Sequence, residues 1–233
     1  MRRARAGDPG RLWIVARQQS AGRGRLSRPW VSPPGNLYAS LLLRSEFEPA
    51  HAAELGFVTG LALLEAIAPF MPAPENVRLK WPNDLLVGDA KVAGILLEAT
   101  TLVDGTFACV IGCGVNCTTH PKDTPYPAAD LQSLGCAVDA SLVLERLADT
   151  FAGRLARWQQ SGGFQDVRKD WIKHAYRIGE TISVAQGGQQ ISGIFRSIDA
   201  TGRLILVQGD KETIIDTGNV MLPAARHSPR KAG

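Results

Sequence analysis

Residues 80–96 read KWPNDLLVGDAKVAGIL, and the local fold can be worked out from this stretch. Residues 85–87 and 91–100 are apolar runs of strand type, and Gly88–Asp89 between them is a turn signal. Residues 77–81 form a further run of strand type immediately upstream. The stretch therefore predicts a β-hairpin within a larger sheet.

Strand and helix patterns flank this hairpin on both sides. A strand at Leu12–Ala16 is followed by a Gly-, Arg-, Ser- and Pro-rich segment, residues 18–35, which predicts a long loop of the kind that is often functional. The other predicted strands are residues 36–43 and 106–111, and the predicted helices are residues 50–68, 141–158 (capped by Ser141) and 164–176.

A change of pattern at residue 178 indicates a second domain. Short β-type runs at residues 181–184, 190–198, 203–207 and 211–215 alternate with Gly-containing turns, which predicts a small β-barrel of about 45 residues. The predicted organisation is a catalytic domain at 1–177, the barrel at 178–222 and a disordered tail at 223–233. The predicted fold class is α+β, with a mixed or antiparallel sheet flanked by helices.

Composition and charge exclude several classes of protein. The 233 residues are 45% hydrophobic and 21% charged, and no apolar run approaches the ~20 residues of a membrane span. A secretory signal is also missing, so we expect a cytoplasmic protein with four reduced cysteines. The net charge is +4, but residues 1–11 and 223–233 each carry +3, which leaves −2 on residues 12–222. Nucleic acid is therefore not expected as a main partner.

The first segment whose residues could bind a ligand or take part in catalysis is QSAGRGRLSRPW, residues 19–30. Its glycines let backbone N–H groups turn toward an anion, and Arg23, Arg25 and Arg28 can add charge-assisted bonds to phosphate or carboxylate. Trp30 offers an aromatic face for a base. A flexible basic loop is the alternative interpretation, and the segment alone does not decide between them.

The second segment combines K-W-P-N-D with K-V-A-G-I-L. Lys80 and Lys91 are expected on neighbouring strands, where a lysine beside a reacting phosphate stabilises developing charge. A solvated lysine at a strand edge is the alternative for either one. Gly94 inside a strand indicates close approach of a ligand, or a bulge. Asp84 is either a participant in proton transfer or a structural turn residue.

The third segment is IGCGVN, residues 111–116. Small residues at a strand end allow a ligand against the backbone, and Asn116 can offer a donor and an acceptor to a base or ribose; a simple turn is the alternative. Cys109, Cys113 and Cys117 recur every four residues. Without a paired C-x-x-C they predict packing residues rather than metal ligands, and no metal site is assigned to the protein.

Taken together, Q-S-A-G-R-G-R…W, K-W-P-N-D, K-x-A-G-I-L and I-G-x-G-x-N closely resemble, in order and spacing, the biotin–protein ligase family over residues 12–222. The resemblance implies a class II synthetase-like catalytic domain with a small SH3-like C-terminal barrel. It also implies ATP, biotin and Mg²⁺ as substrates and cofactor. The implied partner is the biotin carboxyl carrier protein of acetyl-CoA carboxylase or a related carboxylase.

The resemblance assigns roles to residues by their place in the motifs. Lys91 is the first choice for the catalytic residue, with Arg25 and Asp84 beside it. The implied biotin site comprises Gln19, Gly22, Arg23, Arg25, Lys91, Gly94 and Gly112. The implied ATP or adenylate site comprises Arg23, Arg25, Arg28, Trp30, Lys91 and Asn116.

The implied chemistry has two steps. The biotin carboxylate attacks the α-phosphorus of Mg-ATP to give biotinyl-5′-adenylate and pyrophosphate, while Arg23, Arg25, Lys91 and Mg²⁺ offset the repulsion between anions. A carrier lysine, with a reference pKa near ~10.4, then attacks the anhydride and releases AMP. Asp84 is expected to accept or orient the proton of that amine.

The chain departs from the family pattern in two places. Relatives carry a Ser-Thr-Asn segment before the first helix, whereas this sequence starts at Met1 in what looks like the end of that helix, so we expect weaker biotin binding than in a chain extended upstream. Ser27 stands where Gly is common, which is tolerated unless φ is positive. The sequence also leaves no room for an N-terminal DNA-binding domain, which indicates a single-function ligase.

Three other functions remain as alternatives. A lipoate ligase-like acyltransferase shares the fold, a truncated relative would hold biotin or a carrier without ligating it, and an RNA-binding protein would use the R-G-R loop. Pairing of edge strands across a two-fold axis would give a homodimer.

Overall fold

The computed structural model describes residues 1–44, 47–160 and 162–222; the predicted tail at 223–233 lies outside the described residues. The helices and strands, in chain order, are α1 (Arg2–Arg5), β1 (Leu12–Ala16), β2 (Leu37–Arg44), α2 (Glu54–Ile67), β3 (Val77–Lys80), β4 (Asp84–Val87), β5 (Ala90–Thr101), β6 (Phe107–Val115), α3 (Ala140–Trp158), α4 (Gly163–Lys173), β7 (Thr181–Gln186), β8 (Gln189–Ile198), β9 (Leu204–Gln208), β10 (Lys211–Ile215) and β11 (Asn219–Val220).

Two antiparallel sheets organise these elements. The larger has the order β1-β2-β6-β5-β4-β3, and all its neighbouring strands run antiparallel. The smaller has the order β10-β9-β8-β7-β11 and belongs to the C-terminal β domain. The predicted hairpin is β4–β5, with Gly88 at φ +58 in its turn. The α+β fold class predicted from the sequence is confirmed.

Helix α2 is the centre of the core, because nearly all its residues are buried. A helix that is apolar on every side must be packed against other elements on every side. The elements that pack against α2 are α3, α4, β3, β4 and β5. Helix α3 contributes a stripe of buried side chains at helical spacing: Val143, Leu147, Phe151, Leu155 and Trp158. None of the helices in the described residues is long and apolar enough to cross a membrane.

The ends of two helices differ from the sequence prediction. Asp139, not Ser141, caps α3: its backbone is extended and its carboxylate accepts from Leu142 N at 2.8 Å, while Ser141 already lies inside the helix. Helix α4 ends at Lys173 instead of Tyr176, because the following residues pair with β3. Tyr176 N donates to Leu79 O at 2.8 Å.

Two predictions about the larger sheet were wrong in detail. Strand β6 does not end at residue 111 but runs to Val115, since both its neighbours hold it: Gly112 pairs with Ser40 of β2 and with Leu96 of β5. Lys80 and Lys91 do not lie on neighbouring strands, because β4 runs between β3 and β5. This places Asp84, the first residue of β4, between the two lysines.

The C-terminal domain is attached to the catalytic sheet through Trp81, at the end of β3. The fully buried indole donates from Nε1 to Gly202 O at 2.9 Å. Gly202, at φ +84, lies so close to Phe57 of α2 that a β-carbon there would fall 2.6 Å from the ring. The tryptophan of K-W-P-N-D therefore has a structural function, because its hydrogen bond to Gly202 holds the C-terminal domain against the catalytic sheet.

Candidate active site

A cavity of about 270 Å³ opens where three parts of the chain meet: the Arg/Gly loop (residues 18–35), one face of strands β4–β6, and β11 with its flanking residues. Of the predicted site residues, those that line it are Gln19, Arg23, Arg25, Arg28, Trp30, Asp84, Lys91, Gly94 and Gly112. The folding of the chain thus brings together residues that are up to 93 positions apart in sequence, Gln19 and Gly112.

Asp84 is the centre of a buried cluster of charges in the cavity wall. Its Oδ2 lies 2.8 Å from Lys80 Nζ, and its Oδ1 lies 2.7 Å from Lys91 Nζ. Burial alone would raise the pKa of Asp84, but the two ammonium groups outweigh it and lower this pKa to about 2. Asp84 is therefore a permanent anion at neutral pH, shared by two cations.

Lys91 carries the exposed part of this cluster. Its side chain is 15% exposed, and its ammonium lies 5.3 Å from the ring centroid of Trp30 and 5.8 Å from that of Tyr126. Only one carboxylate oxygen is within ion-pair distance of Lys91 Nζ in the described structure. Two of its three N–H groups are thus free to act on a ligand in the cavity.

Arg25 joins the loop to the C-terminal domain. Its Nη1 donates to Gly218 O at 3.1 Å and to Asn83 Oδ1 at 3.4 Å. Burial lowers the pKa of Arg25, Asp84 opposes that effect, and Arg28 adds to it. A guanidinium remains charged in any case, so Arg25 brings a partly desolvated positive charge into the cavity.

Arg23 is held at the outer wall of the cavity by Glu98 of β5, with Nη2 2.9 Å from Oε1. Gln19, at the start of the loop, accepts from Ser32 Oγ at 2.9 Å. Gly22 is not among the residues that line the cavity: its carbonyl accepts from Trp30 N, and a β-carbon on it would fall 2.3 Å from Trp30 O. Gly22 therefore closes the base of the loop, where no side chain fits.

The Trp30 indole covers two glycines that are register partners in the sheet, Gly94 of β5 and Gly114 of β6. A β-carbon on Gly94 would come within 3.3 Å of the ring, and one on Gly114 within 2.6 Å. Gly94 pairs regularly with Asp84, so it marks close approach rather than a bulge. The Trp30 Nε1–H is buried and has no hydrogen-bond partner in the described structure, so the indole in this position leaves a polar group unsatisfied.

The loop contains two consecutive non-glycine residues in the left-handed region, Leu26 at φ 55 and Ser27 at φ 58. The sequence prediction tolerated Ser27 in place of Gly provided φ was not positive, and the structure shows that it is. A serine at this position raises the energy of this loop conformation by about 1 kcal/mol. The Leu26 side chain is 73% exposed, so no packing offsets its strain.

Asn116 does not reach the cavity. Its amide is buried and donates from Nδ2 to Ala129 O at 3.1 Å. Its backbone carbonyl accepts from Leu131 N at 2.9 Å. The structure therefore gives Asn116 the function of tying residues 128–131 to the end of β6, and does not bring it together with the other nucleotide-side residues.

Several cavity residues had escaped the sequence analysis. Tyr126 and Glu98 line the cavity although nothing in their local sequence indicates a ligand, and Asn83 of K-W-P-N-D lines it without having been assigned a role. Gly114 is visible in I-G-C-G-V-N but was not assigned. Residues 218–220 were missed because the C-terminal domain has no distinctive motif; only the three-dimensional contact with Arg25 and Lys80 identifies them.

The cysteines are packing residues in the structure. All four are buried and free, and burial raises the pKa of Cys113 to about 12 and that of Cys109 to about 11. Neutral thiols of this kind are poor metal ligands and poor nucleophiles. Among the described residues, no group of three or more His, Cys, Asp or Glu side chains is placed to hold a metal ion.

Similarity to known proteins agrees with this architecture. Residues 6–116 match the Biotin/lipoate A/B protein ligase family, and residues 178–222 match the Biotin protein ligase C terminal domain. The biotin--[acetyl-CoA-carboxylase] ligase of Paracoccus denitrificans is 40% identical over 210 residues, covering 86% of this chain and 85% of that protein. The corresponding ligase of Mycobacterium tuberculosis is 33% identical over 225 residues, covering 94% and 82%.

A solved structure shows the same fold. The biotin protein ligase from Aquifex aeolicus, in complex with biotin and ATP, superposes with a TM-score of 0.76 at 27% identity, covering 91% of this chain and 89% of that one. The sheet, the cation-lined cavity and the appended β domain define a protein of the biotin and lipoate ligase class. Within that class, its similarity to curated ligases over most of its length shows that the chain belongs to the biotin–protein ligase family.

Proposed function

We propose that the protein uses ATP to ligate biotin to a lysine of a carrier protein by way of biotinyl-5′-adenylate. The observation that carries this proposal is the group of cations in one cavity, Arg25 and Lys91, beside the permanent anion Asp84. Such a cavity suits a reaction in which two anions must meet. The ligases to which the chain is similar supply the identity of the substrates.

In the first step a biotin carboxylate oxygen bonds to the α-phosphorus of ATP, and the bond to pyrophosphate breaks. Negative charge then grows on the non-bridging oxygens of phosphorus. Lys91 has free N–H groups for these oxygens, and Arg25 brings a partly buried charge. Charges already fixed in a cavity stabilise the transition state without reorganising. Gln19, Gly94 and Gly112 are proposed to form the biotin side of the cavity.

The roles proposed for Arg23 and Trp30 require each to leave its present contact. Arg23 can hold a carboxylate or phosphate only after it separates from Glu98, and Trp30 can stack on adenine only after it moves off Gly94 and Gly114. An exposed ion pair is worth little, about 0.2–1 kcal/mol, and the unpartnered Nε1–H favours movement of the indole. Both contacts therefore give way to a ligand.

In the second step the carrier amine attacks the acyl carbon, AMP leaves, and the amine loses a proton. A carboxylate with a pKa of about 2 is a weak base, and both oxygens of Asp84 are already paired with lysines. Neither acceptance nor orientation of the amine proton is therefore supported by these contacts, and a structural role for Asp84, in positioning Lys91, is the better supported. Transfer from preformed adenylate by Asp84→Asn is the test: a loss in adenylation alone is expected, and a loss in the transfer step would restore a role of Asp84 toward the carrier amine.

Magnesium is expected to enter bound to the phosphates of ATP. The carboxylates that line the cavity, Asp84 and Glu98, are both ion-paired, so neither presents a free ligand.

We propose a biotin carboxyl carrier protein as the macromolecular partner, because the curated relatives are named for acetyl-CoA carboxylase. A cytoplasmic location agrees with the four free, buried cysteines. The negative charge of residues 12–222 argues against nucleic acid as a partner. A homodimer would use the edge strand β1, in which Val15 is 50% exposed.

The test is biotin-dependent exchange of labelled pyrophosphate into ATP, followed by transfer to a carrier domain. We expect exchange with biotin and none with lipoate alone. Exchange supported by lipoate would assign the protein to the lipoate ligases. Binding of biotin without exchange would make it a non-catalytic relative.

A further inference from the structure

We infer that Asn219, in the last strand of the C-terminal domain, is a positioning residue of the active site that acts on Lys91 through Lys80 and Asp84. The inference rests on the proposed function, because its main readout is adenylate formation. It extends that function by giving the C-terminal domain a specific chemical connection to the reacting centre.

Lys80 is the residue through which Asn219 acts. The side chain of Lys80 is only 3% exposed, and its ammonium has three partners: Asp84 Oδ2 at 2.8 Å, Asn219 Oδ1 at 2.9 Å and Val220 O at 3.3 Å. Three N–H donors therefore meet three acceptors, two of which come from β11. A buried ammonium satisfied in this way has a single preferred position.

Asp84 transmits that position to Lys91. One carboxylate oxygen faces Lys80 and the other faces Lys91, so the carboxylate cannot turn toward one lysine without leaving the other. Lys80 also lines the cavity, but its three N–H groups are already matched by Asp84, Asn219 and Val220. Of the two lysines paired with Asp84, Lys91 is therefore the one that can act on a ligand. The Asp84 carboxylate thus fixes the position of the Lys91 ammonium, and its own position depends on Lys80.

The segment that carries Asn219 is itself tightly packed against β7. Asn219 and Val220 pair with Ala185 and Val184 of β7. At Gly218 a β-carbon would fall 2.7 Å from Val184 Cγ1, so the backbone is packed directly against that strand. The Gly218 carbonyl also accepts from Arg25. One short stretch of the second domain therefore holds two of the cations of the active site.

The decisive variants change the Asn219 acceptor without changing its size. Asn219→Leu removes the oxygen and leaves one N–H of a buried ammonium without a partner, whereas Asn219→Asp keeps an oxygen in the same place. We expect Asn219→Leu to lower kcat of biotin-dependent exchange roughly ten- to a hundredfold. Asn219→Asp should stay within about threefold of the unmodified protein, because the acceptor that it keeps is the feature that matters.

The matched control is Ser183→Ala, in the strand that pairs with β11. It deletes a side-chain hydrogen bond of the same domain, Ser183 Oγ to Ser192 Oγ at 2.7 Å, which has no connection to Lys80. Exchange should be unaffected by this control. Equal exchange by Asn219→Leu and Ser183→Ala would overturn the inference. An equal loss of exchange in Asn219→Leu and Asn219→Asp would also overturn it, because such a loss would indicate that both variants disturb the packing of the C-terminal domain.

A second readout does not depend on activity. The charged groups that face Asp84 are Lys80 from β3, Lys91 from β5 and Arg25 from the loop. In Lys80→Met only the last two remain to oppose burial, so the pKa of Asp84 should rise by one unit or more. Carboxyl ¹³C NMR measures the pKa of Asp84 directly. The acid limb of the pH profile of kcat should move to higher pH in the same variant.

These measurements distinguish two kinds of failure. If the unmodified protein shows no biotin-dependent exchange, the proposed function is wrong, while the carboxyl titration still decides whether Lys80 controls Asp84. If exchange is normal but the pKa of Asp84 is the same in Lys80→Met, the proposed function stands and the connection through Lys80 is refuted.

Discussion

Trp30 lies against the backbone of Gly114, so closely that a β-carbon on the glycine would fall 2.6 Å from the indole. The two residues belong to different parts of the site, the Arg/Gly loop and the central strand β6. Their contact packs the loop onto the sheet. The same contact makes Gly114 a sensitive position.

Gly114→Ala should displace the indole and reduce the space for a ligand. We expect unfolding to require about 1–3 kcal/mol less free energy and biotin to bind more weakly. Denaturant titration and isothermal calorimetry measure the two effects. The control is Gly153→Ala in α3, where a β-carbon meets nothing within 4 Å, so that about 1 kcal/mol of stability is gained. Undiminished biotin affinity in Gly114→Ala would contradict the prediction.

Glu98→Gln should release Arg23 for the ligand. Because an exposed ion pair is worth about 0.2–1 kcal/mol, ATP should bind up to roughly fivefold more tightly in this variant, with little change in stability. Equilibrium binding at low and moderate salt provides the measurement. Glu212→Gln breaks a comparable exposed pair with Arg196, outside the cavity, and should leave ATP affinity unchanged. Weaker ATP binding by Glu98→Gln would show that Glu98 itself serves the ligand.

Ser27→Gly should stabilise the folded conformation of the loop, because glycine adopts φ 58 without the steric penalty that serine carries. The expected gain is about 1 kcal/mol in the free energy of unfolding. Ser20→Gly changes the same residue type in the same loop at a position without positive φ, and should be neutral or slightly destabilising. A loss of stability in both variants would mean that the flexibility of glycine outweighs the relief of strain.

Asp84 should make stability depend on pH in the acid range. Its pKa is lowered in the folded protein from 3.8 to about 2, so its contribution is present above pH 4 and is lost as the pH falls toward 2. A shift of this size corresponds to about 2 kcal/mol. Asp84→Asn removes the anion shared by two lysines and should lower the free energy of unfolding at pH 7 by roughly 3–5 kcal/mol.

Denaturant unfolding of Asp84→Asn between pH 7 and pH 3 checks this prediction, since the difference from the unmodified protein should shrink on acidification. Asp166→Asn, which breaks an exposed pair with Lys169, is the matched control and should show almost no effect at either pH. A difference that stays constant with pH would mean that the pKa of Asp84 is the same in the folded and in the unfolded protein.

Local pattern was sufficient for most of the fold. The β4–β5 hairpin, the apolar helix α2 and the change of pattern at residue 178 all follow from short-range periodicity and turn residues. The errors occurred where distant residues decide. Strand β6 extends past residue 111 because β2 and β5 pair with it, and α4 stops early because β3 binds the residues that follow it.

The candidate site could be predicted in its motifs but not in its connections. Arg25, Asp84 and Lys91 stand in recognisable motifs, and the structure brings them together. That Lys80 is buried, and that its partner is Asn219, follows only from the packing of one domain on the other, because 139 positions separate the two residues. For Asn116, sequence reasoning identified a capable side chain, whereas the structure directs its amide to a backbone carbonyl.

The position of β11, which follows all the other elements of the site in the sequence, bears on how the protein is made. The groups that hold Arg25 and Lys80 from the C-terminal domain belong to residues 218–220. Chains emerge from the ribosome N-terminus first, so a nascent polypeptide exposes its Arg/Gly loop and its hairpin long before these acceptors are available. We therefore expect the active site to be assembled only after residues 218–220 have been synthesised, which keeps shorter nascent chains from generating a reactive acyl-adenylate.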